Sequence, residues 1–456
     1  MKHSSLKVAL PFILLLFMPI LLLASTGGTA HEIAGIRIEF ILFGLTLFSV
    51  AIFHHKTFEV AVIGLFVIVL YKLIFTSGYP FQEHFLGENS LIDQLKDKHL
   101  RQGEWGILLN LLGLLLGFGV LAKIFEDSGV PDFLPKYLPD DWKGPALLLV
   151  FVFIISSFLD NIAAAMIGGT IAMVVFKGKV HIGYISGLVA ASNAGGSGSI
   201  VGDTTTTMMW IDGVSAFNVL HAYVAAFVDI SNHRLVWCQT TRQLPKNISR
   251  PYKKCQDRFR SYGSSSILVG AILSNIYYDM PALGVWVAIF IGATFRKMPW
   301  HEVSASIKGS IFLLCLVTAA SLMPVETLPN ASWVTAFILG FVSAVFDNIP
   351  LTKLCLEQGH FDWGILAYSV GFGGSMIWFG SSAGVAITNK YPEARNVGKW
   401  ISKGWYVILA YIVGFFALYL IMGWEPEDNK MHKEPVKECP VENCKAKHDA
   451  LGTKPN

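Results

Sequence analysis

Long apolar runs separated by short polar stretches dominate the hydrophobic pattern of the chain. A helix that crosses the hydrocarbon of a bilayer needs about 20 apolar residues, and most of the runs approach that length. We therefore predict an all-α, polytopic membrane protein with roughly ten to twelve spanning or half-spanning helices. The apolar runs cover residues 8–24, 36–53, 57–76, 105–123, 145–176, 265–294, 308–323, 331–346 and 404–424.

The composition agrees with this prediction, since 53% of the 456 residues are hydrophobic and only 15% are charged. The N-terminal sequence allows two interpretations. A basic stretch, MKHSSLK, precedes the first apolar run, and the small residues STGGTA end at Ala30. Residues 1–30 are therefore either a signal peptide or the first transmembrane helix. The six cysteines show no regular framework, and no cofactor is expected.

Two polar interruptions divide the apolar series. Residues 77–104 are predicted to form an amphipathic surface helix. Residues 229–262 carry eight Arg or Lys residues against two Asp residues, which places them on the cytoplasmic side. Because topology explains these charges, nucleic acid is not an expected partner, and the segment is either a flexible linker or one whose encoded frame is wrong. The predicted domains are residues 1–30, an N-terminal transmembrane repeat 31–228, the basic linker 229–262, a C-terminal transmembrane repeat 263–424 and a polar, disordered tail 425–456.

Two motifs occur in the same order in both halves of the chain. SSFLDN ends at Asp160-Asn161, and SAVFDN ends at Asp347-Asn348. Downstream of each lies the pattern GGSxxxxG, first at residues 195–202 and again at residues 373–380. Each half therefore contains an apolar helix, an Asp-Asn pair, a short apolar helix and a glycine-rich break. The ordered recurrence of both motifs indicates an internal repeat.

Glycine-rich, polar backbone inside an apolar segment needs a physical explanation. Unpaired backbone groups are tolerated at membrane depth only where they line a cavity enclosed by protein. Interrupted segments at corresponding positions of two halves are typical of the binding site of a secondary transporter, because unwound backbone frees carbonyl oxygens for a cation. We therefore predict that the two glycine-rich breaks line such a binding site.

Carboxylates accompany these breaks. Asp160 and Asp347 each follow an apolar helix and are followed at once by another apolar run, which predicts a re-entrant hairpin with Asp-Asn at its tip. Both are predicted to bind transported Na⁺, and Asp203 is a candidate proton carrier. An ionisable group at such a position is costly unless it is paired or functional. The candidate ion-binding residues are Asp160, Asn161, Ser192, Asn193, Gly195, Gly196, Ser197, Asp203, Thr204, Thr205, Asp347, Asn348, Gly373, Gly374, Ser375, Ser381 and Ser382.

Each of these features also has a purely structural interpretation. An Asp-Asn pair can cap a helix at the membrane surface, and the glycines can be small residues that let helices pack closely. The threonines after Asp203 can bond back into their own helix. We interpret four polar residues after the second hairpin as solvated loop residues rather than ligands, namely Lys353, Glu357, His360 and Asp362.

The motifs FLDNIAAAMIGG, NAGGSGSIVGDTTTTMMWI, VFDNIPL and GFGGSMIWFGSSAGVA resemble the signatures of NhaD-type sodium/proton antiporters. These proteins belong to the ion-transporter superfamily that includes citrate and dicarboxylate carriers. The resemblance covers roughly residues 105–230 and 263–424. It implies two inverted-topology repeats whose hairpins and broken helices meet at the membrane midplane, with unwound segments at residues 192–205 and 371–382. It also implies exchange of Na⁺ or Li⁺ for H⁺, a bacterial-type inner (plasma) membrane and a homodimer. Residues 229–262 match no familiar part of that pattern.

Three other functions compete with cation exchange as interpretations of these motifs. A citrate-like carboxylate symporter needs an anion site, but the hairpin tips and breaks together contain three Asp residues and neither Arg nor Lys. An intramembrane aspartyl protease usually carries GxGD, whereas Ile200-Val201-Gly202 precedes Asp203 here. A channel does not require paired broken helices. The sequence therefore predicts a Na⁺/H⁺ antiporter, not an enzyme, whose partners are the lipid bilayer and small inorganic cations, with the carboxylate symporter as the alternative.

Overall fold

Helices account for nearly all of the regular structure in the described part of the chain. The computed structural model describes residues 32–33, 35–53, 56–76, 79–127, 138–139, 143–176, 178–232, 273–274, 277–295 and 297–427. A two-stranded antiparallel ribbon of β1 (Glu32–Ile33) and β2 (Ile36–Arg37) precedes the first helix. The helices of the N-terminal half are α1 (Ile38–Ile52), α2 (Thr57–Phe75), α3 (Phe81–Leu86), α4 (Leu91–Lys96), α5 (Trp105–Asp127), α6 (Lys143–Ser156), α7 (Asn161–Val175), α8 (Ile182–Ser197), α9 (Thr204–Ile211), α10 (Ala216–Leu220) and α11 (Ala222–Asn232).

The C-terminal half continues in the same all-helical manner. Four helices of the described residues are long and apolar enough to cross a membrane, and six shorter apolar helices accompany them. The prediction of an all-α, polytopic membrane protein is thereby confirmed. The remaining helices are α12 (Pro281–Phe295), α13 (His301–Ser321), α14 (Trp333–Ser343), α15 (Asn348–Gln358), α16 (Trp363–Gly373), α17 (Ser382–Lys390) and α18 (Val397–Met422), with 3-10 turns at Lys98–Leu100, Val325–Thr327 and Pro392–Arg395.

The helices pack in two groups. The flanking bundle consists of five helices that contact one another in the order α1, α2, α13, α5 and α12. Helices α6–α11 and α14–α18 form the core bundle. Within the core bundle, α6 and α7 form a helical hairpin, as do α14 and α15, and α8 packs against α6, α16 and α18. The two bundles meet where α15 contacts α13 and α9 contacts α5.

The core bundle contains buried polar groups within an apolar surround. Its interior includes fully buried Tyr184, Leu366, Tyr368 and Phe372, and every residue of α16 is buried. Apolar burial alone does not fix the register of the helices. The buried polar groups do so, because each of them must find a hydrogen-bond partner. The functional site described below is built from those groups.

The structure differs from the sequence-based prediction at residues 77–104. Two short helices, α3 and α4, and one 3-10 turn replace a single amphipathic helix. Gly87 and Gly103 adopt positive φ values of 74°, which interrupts any continuous helix. The buried Gln94 side chain donates to the carbonyl oxygens of Leu86 and Asn89, at 2.7 and 2.8 Å, which ties the short elements together.

Other predictions fall wholly or partly outside the described residues. The N-terminal segment 1–30 and the tail from residue 428 are not described. Of the predicted basic linker 229–262, only residues 229–232 are described, and they form the last part of α11. The domain boundaries proposed from the sequence therefore stay predictions.

Candidate functional site

Asp160 and Asp347 occupy equivalent places in the two helical hairpins. Asp160 caps α7 by accepting a hydrogen bond from the Ile162 amide at 3.1 Å. Asp347 caps α15 by accepting from the Ile349 amide at 3.0 Å. Asp160 and Asp347 therefore act as helix caps, as the structural interpretation of the Asp-Asn pairs predicts. Each bond engages one carboxylate oxygen, so the cap leaves the other oxygen of each Asp for a further interaction.

Hydroxyl groups from the broken helices approach both carboxylates. Thr204, the first residue of α9, places its hydroxyl near the Asp160 carboxylate. Ser382, the first residue of α17, places its hydroxyl near the Asp347 carboxylate. Thr204 and Ser382 hold the same place in the two GGSxxxxG repeats, two residues after the last glycine. Each half of the chain therefore joins its hairpin tip to its own broken helix through a carboxylate–hydroxyl pair.

The two helix breaks lie where the sequence predicts them but are shorter. Helix α8 runs to Ser197, so the first break covers residues 198–203. Helix α16 runs to Gly373, so the second break covers residues 374–381. The predicted unwinding is wrong for residues 192–197, 204–205, 371–373 and 382, which lie in α8, α9, α16 and α17.

Close helix packing explains why these glycines stay helical. A Cβ atom on Gly195 would lie 2.2 Å from the carbonyl oxygen of Phe153 in α6. A Cβ atom on Gly373 would lie 2.3 Å from the carbonyl oxygen of Gly340 in α14. The first glycine of each GGS motif thus lets the broken helix touch the backbone of its own hairpin. The second glycines, Gly196 and Gly374, let the chain fold back at the break, since a Cβ on either would lie 2.6 Å from the carbonyl oxygen of the last glycine of its motif.

A chain of buried hydrogen bonds connects the two halves. The Asn161 amide donates to Asn193 Oδ1 at 3.1 Å, and the Asn193 amide donates to Ser375 Oγ at 2.9 Å. Ser192 Oγ donates to the Asn161 carbonyl oxygen at 2.5 Å. Asn161, Ser192, Asn193 and Ser375 are all buried. This network fixes the first hairpin tip and both broken helices relative to one another.

Two serines that the sequence analysis missed support the same arrangement. Ser156 Oγ donates to the Ser192 carbonyl oxygen at 2.6 Å, and Ser343 Oγ donates to the Val370 carbonyl oxygen at 2.7 Å. Each serine precedes the hairpin Asp by four residues, and each accepting carbonyl precedes the GGS motif by three. The shared serine of SSFLDN and SAVFDN was the available signal. Its role is to position the broken helix, because it contacts backbone in both halves.

Asp203 is the main chemical difference between the halves. Its side chain caps α9 by accepting from the Thr205 amide at 3.1 Å, whereas Ser381 caps α17 by accepting from the Gly384 amide at 3.3 Å. Asp203 is buried, and its Oδ2 atom has no hydrogen-bond partner among the described residues. A Cβ atom on Gly371 of α16 would lie 3.3 Å from that oxygen. Asp203 therefore faces the broken helix of the other half.

A cavity of about 1160 Å³ separates the flanking and core bundles near the hairpin tips. Of the predicted site residues, Asp160, Asp347 and Ser382 line it. Lys123 at the end of α5 and Lys390 at the end of α17 also line it. The other candidate residues are outside its lining, among them Asn161, Ser192, Asn193, Gly195, Gly196, Ser197, Asp203, Thr204, Thr205, Asn348, Gly373, Gly374, Ser375 and Ser381. The two hairpin carboxylates thus share one accessible space, with most of the polar network outside its wall.

The basic side chains lie away from the carboxylates. Eight residues of α17 separate Lys390 from Ser382, which is about 12 Å along a helix axis. Lys390 contacts the Thr170 hydroxyl, and Lys123 pairs with Glu126 and Asp127 at 3.0 and 3.1 Å. The end of the cavity at the hairpin tips therefore offers carboxylate and hydroxyl oxygens, which are the ligands that hard cations prefer.

Comparisons with known proteins point to one family. Residues 99–373, more than half of the chain, match the family model described as "Citrate transporter". The chain is 26% identical over 279 residues to "Sodium/proton antiporter 1" of Arabidopsis thaliana, which covers 51% of this chain and 48% of that protein. It is 24% identical over 295 residues to "Na(+)/H(+) antiporter NhaD" of Alkalimonas amylolytica, covering 52% and 60%. It is 23% identical over 334 residues to the protein of that name from Vibrio cholerae, covering 59% and 68%. These matches span about half to two thirds of the relatives' lengths.

Proposed function

The chain belongs to the citrate transporter family, and we propose that it is a secondary-active transporter that exchanges Na⁺ or Li⁺ for H⁺. Its family and the names of its relatives are those of transporters, not of enzymes. Its apolar helices make it a multi-pass membrane protein. Several relatives are named sodium/proton antiporters, which supports a cation and a proton as the exchanged ions.

The single observation that carries the proposal is the pairing of Asp160 and Asp347 at one cavity. Each is a hairpin-tip carboxylate with a hydroxyl from a broken helix beside it. A carboxylate in such a place binds either a proton or a small cation, and competition between the two is sufficient for exchange. Asp160 and Asp347 are the proposed cation ligands, and carbonyl oxygens from the two breaks complete the coordination.

Asp203 is the proposed proton carrier. Its free oxygen faces the second broken helix and is not part of the cavity lining. A group so placed exchanges protons with the site without competing directly for the entering cation. Only the first half would carry this proton, because the equivalent position in the second half is the uncharged Ser381.

We further propose the arrangement in the membrane that the resemblance implies. The two halves would be inverted repeats whose hairpin tips meet near the midplane of an inner plasma membrane. Ser156 and Ser343 make equivalent contacts, each within its own half, and so do Gly195 and Gly373. These contacts support an equivalent fold of the two halves. A homodimer through the flanking bundle is the proposed assembly.

A carboxylate symporter is the second candidate, favoured by two specific observations. The N-termini of α7, α9, α15 and α17 all begin at site residues, and helix N-termini attract anions. The cavity of about 1160 Å³ is also far larger than an inorganic cation requires. Three of these N-termini are already capped by Asp carboxylates, which opposes a further anion and leaves cation exchange as the better-supported function.

The test is a pH-dye assay on inverted membrane vesicles with an imposed ΔpH. Addition of NaCl or LiCl, but not KCl, should dissipate the gradient, and Asp160→Asn or Asp347→Asn should abolish the response. Asp93→Asn, which removes an exposed carboxylate on α4, is the matched control and should respond like the parent. No response to chloride salts together with uptake of labelled citrate would replace the antiporter by the carboxylate symporter.

A further inference from the structure

Lys353 contradicts the prediction that it is a solvated loop residue. It lies in α15, and its side chain is fully buried. Its ammonium nitrogen lies 2.7 Å from Glu104 Oε2 and 2.6 Å from Glu357 Oε1. A buried ammonium needs a carboxylate partner, since an unpaired charge is costly in a low-dielectric interior. The same prediction is wrong for Asp362, which is buried and caps α16.

The two partners of Lys353 differ in what they connect. Glu357 is one turn further along the same helix, so that pair joins α15 only to itself. Glu104 directly precedes α5, which belongs to the flanking bundle. Its backbone amide donates to the His84 carbonyl oxygen at 3.1 Å, which holds it against α3. The Lys353–Glu104 pair is therefore a direct ionic connection between the core and flanking bundles.

This connection is at the opposite end of α5 from the mouth of the large cavity. Residues from Leu115 to Glu126 of α5 line the large cavity, together with the hairpin tips. Glu104 to Asn110 line a second, small cavity of about 130 Å³, which Glu357 also lines. Lys123 and Glu104 are 19 residues apart, about 28 Å along a helix axis. The large cavity thus reaches Asp347 from one end of α5, and the separate small cavity lies beside the ion pair at the other end.

Lys353 and Asp347 are carried by the same helix. Six residues separate them, about 9 Å along α15. Any movement that brings Asp347 into contact with the other face of the membrane must therefore part α15 from the start of α5. Such a movement breaks the ion pair along with the packing of α15 against α13.

We propose that the Lys353–Glu104 ion pair is the gate that closes the transport site on the side opposite the large cavity. This inference rests on the proposed transport function only in that a transporter must open its site to both faces. Lys353 is a positioning residue here, because it contacts neither hairpin carboxylate. Its charge holds the closed arrangement, and transient loss of the pair admits solvent from the small cavity toward Asp347.

Thiol labelling tests the gate without requiring any transported ion. Ile349→Cys places a reporter on the same face of α15 as Lys353, one turn nearer to Asp347, in a full-length chain whose six native cysteines are replaced by serine. Ile349 is buried, so the reporter should label slowly when a membrane-impermeant maleimide is added from the small-cavity side. Glu104→Gln should raise that rate by about tenfold or more, because it removes the pair that joins the bundles.

Glu357→Gln is the matched control, since it makes the same charge change but leaves the pair between the bundles intact. It should label at the parent's rate. Equal acceleration by both variants, or none by a folded Glu104→Gln protein, would overturn the gate. If Glu104→Gln does not fold, the gate is tested with the charge-swapped double variant Glu104→Lys and Lys353→Glu, which restores an ion pair between the bundles. It should label as slowly as the parent, and fast labelling of that folded protein would overturn the proposal.

The two proposals fail separately. A parent chain that exchanges Na⁺ but shows no labelling response would remove the gate and keep the antiporter. A chain that shows the labelling response but does not exchange Na⁺ would keep the gate and remove the cation as substrate.

Discussion

Gly373→Ala tests whether the broken helix of the second half depends on direct backbone contact with its hairpin. A Cβ atom at this position would lie 2.3 Å from the Gly340 carbonyl oxygen and 2.7 Å from its Cα atom. Ordinary contact begins near 3.4 Å, so α14 and α16 must separate by about 1 Å. Helix α14 has little room to retreat, because a Cβ on Gly340 would itself lie 2.1 Å from the Tyr411 hydroxyl of α18. That hydroxyl donates to the Phe337 carbonyl oxygen at 2.8 Å.

The expected cost of this substitution is about 1–3 kcal/mol, the range for inserting a methyl group into a packed core that must shift to accept it. The same separation moves Ser375 and Ser382 away from their partners. The exchange rate should therefore fall even in protein that remains folded. The assay is thermal unfolding of the purified protein in detergent, followed by exchange in reconstituted vesicles.

Gly44→Ala is the matched control, because Gly44 is also helical, lies outside the cavity lining, and an added Cβ atom would meet nothing within 4 Å. It should leave the midpoint unchanged or raise it slightly, since alanine favours a helix. A Gly373→Ala protein with the midpoint and exchange rate of Gly44→Ala would refute the packing argument.

Three further predictions concern the same region. Gly195→Ala should resemble Gly373→Ala in both measurements, because its Cβ would meet the Phe153 backbone at 2.2 Å; a parent-like protein would contradict the equivalence of the two halves. Asn193→Ala and Ser375→Ala should each lower the unfolding midpoint, and a double-mutant cycle should give a coupling of roughly 0.5–1.5 kcal/mol; a zero coupling would show that their hydrogen bond is not formed. Asp203→Ser, which copies Ser381, should keep the cap on α9 and the unfolding midpoint but slow proton-coupled exchange, and parent-like exchange would exclude Asp203 as a proton carrier.

Much of the fold and the place of the candidate site follow from the sequence. Apolar runs predict helices in a bilayer because spanning length is set by hydrocarbon thickness. The repeated Asp-Asn pairs lead directly to Asp160 and Asp347, since a carboxylate between two apolar runs has few physical explanations. The structure places both at hairpin tips that share one cavity.

The extent of the breaks could not be predicted in the same way. Glycine serves both unwound backbone and close helix contact, and composition does not separate the two. Gly195 and Gly373 are in the second group, which becomes visible only when the partner backbones of Phe153 and Gly340 are in place.

The burial of Lys353 is a clearer example of a non-local feature. Lys353 is followed by Glu357 and His360, so its local sequence resembles a polar turn. The partner that accounts for its burial, Glu104, lies in the other half of the chain. No periodicity within α15 indicates such a partner, because charge pairing between distant segments is decided by tertiary packing.

The most direct test of the central claim is proton release on cation binding. Purified protein in weakly buffered solution would be mixed with NaCl, and the released H⁺ measured with a pH indicator. We predict Na⁺-dependent release that Asp93→Asn retains and that Asp160→Asn or Asp347→Asn abolishes. Undiminished release from both hairpin variants, or release with citrate but not with chloride salts, would contradict the assignment of Asp160 and Asp347 as the shared binding groups for Na⁺ and H⁺.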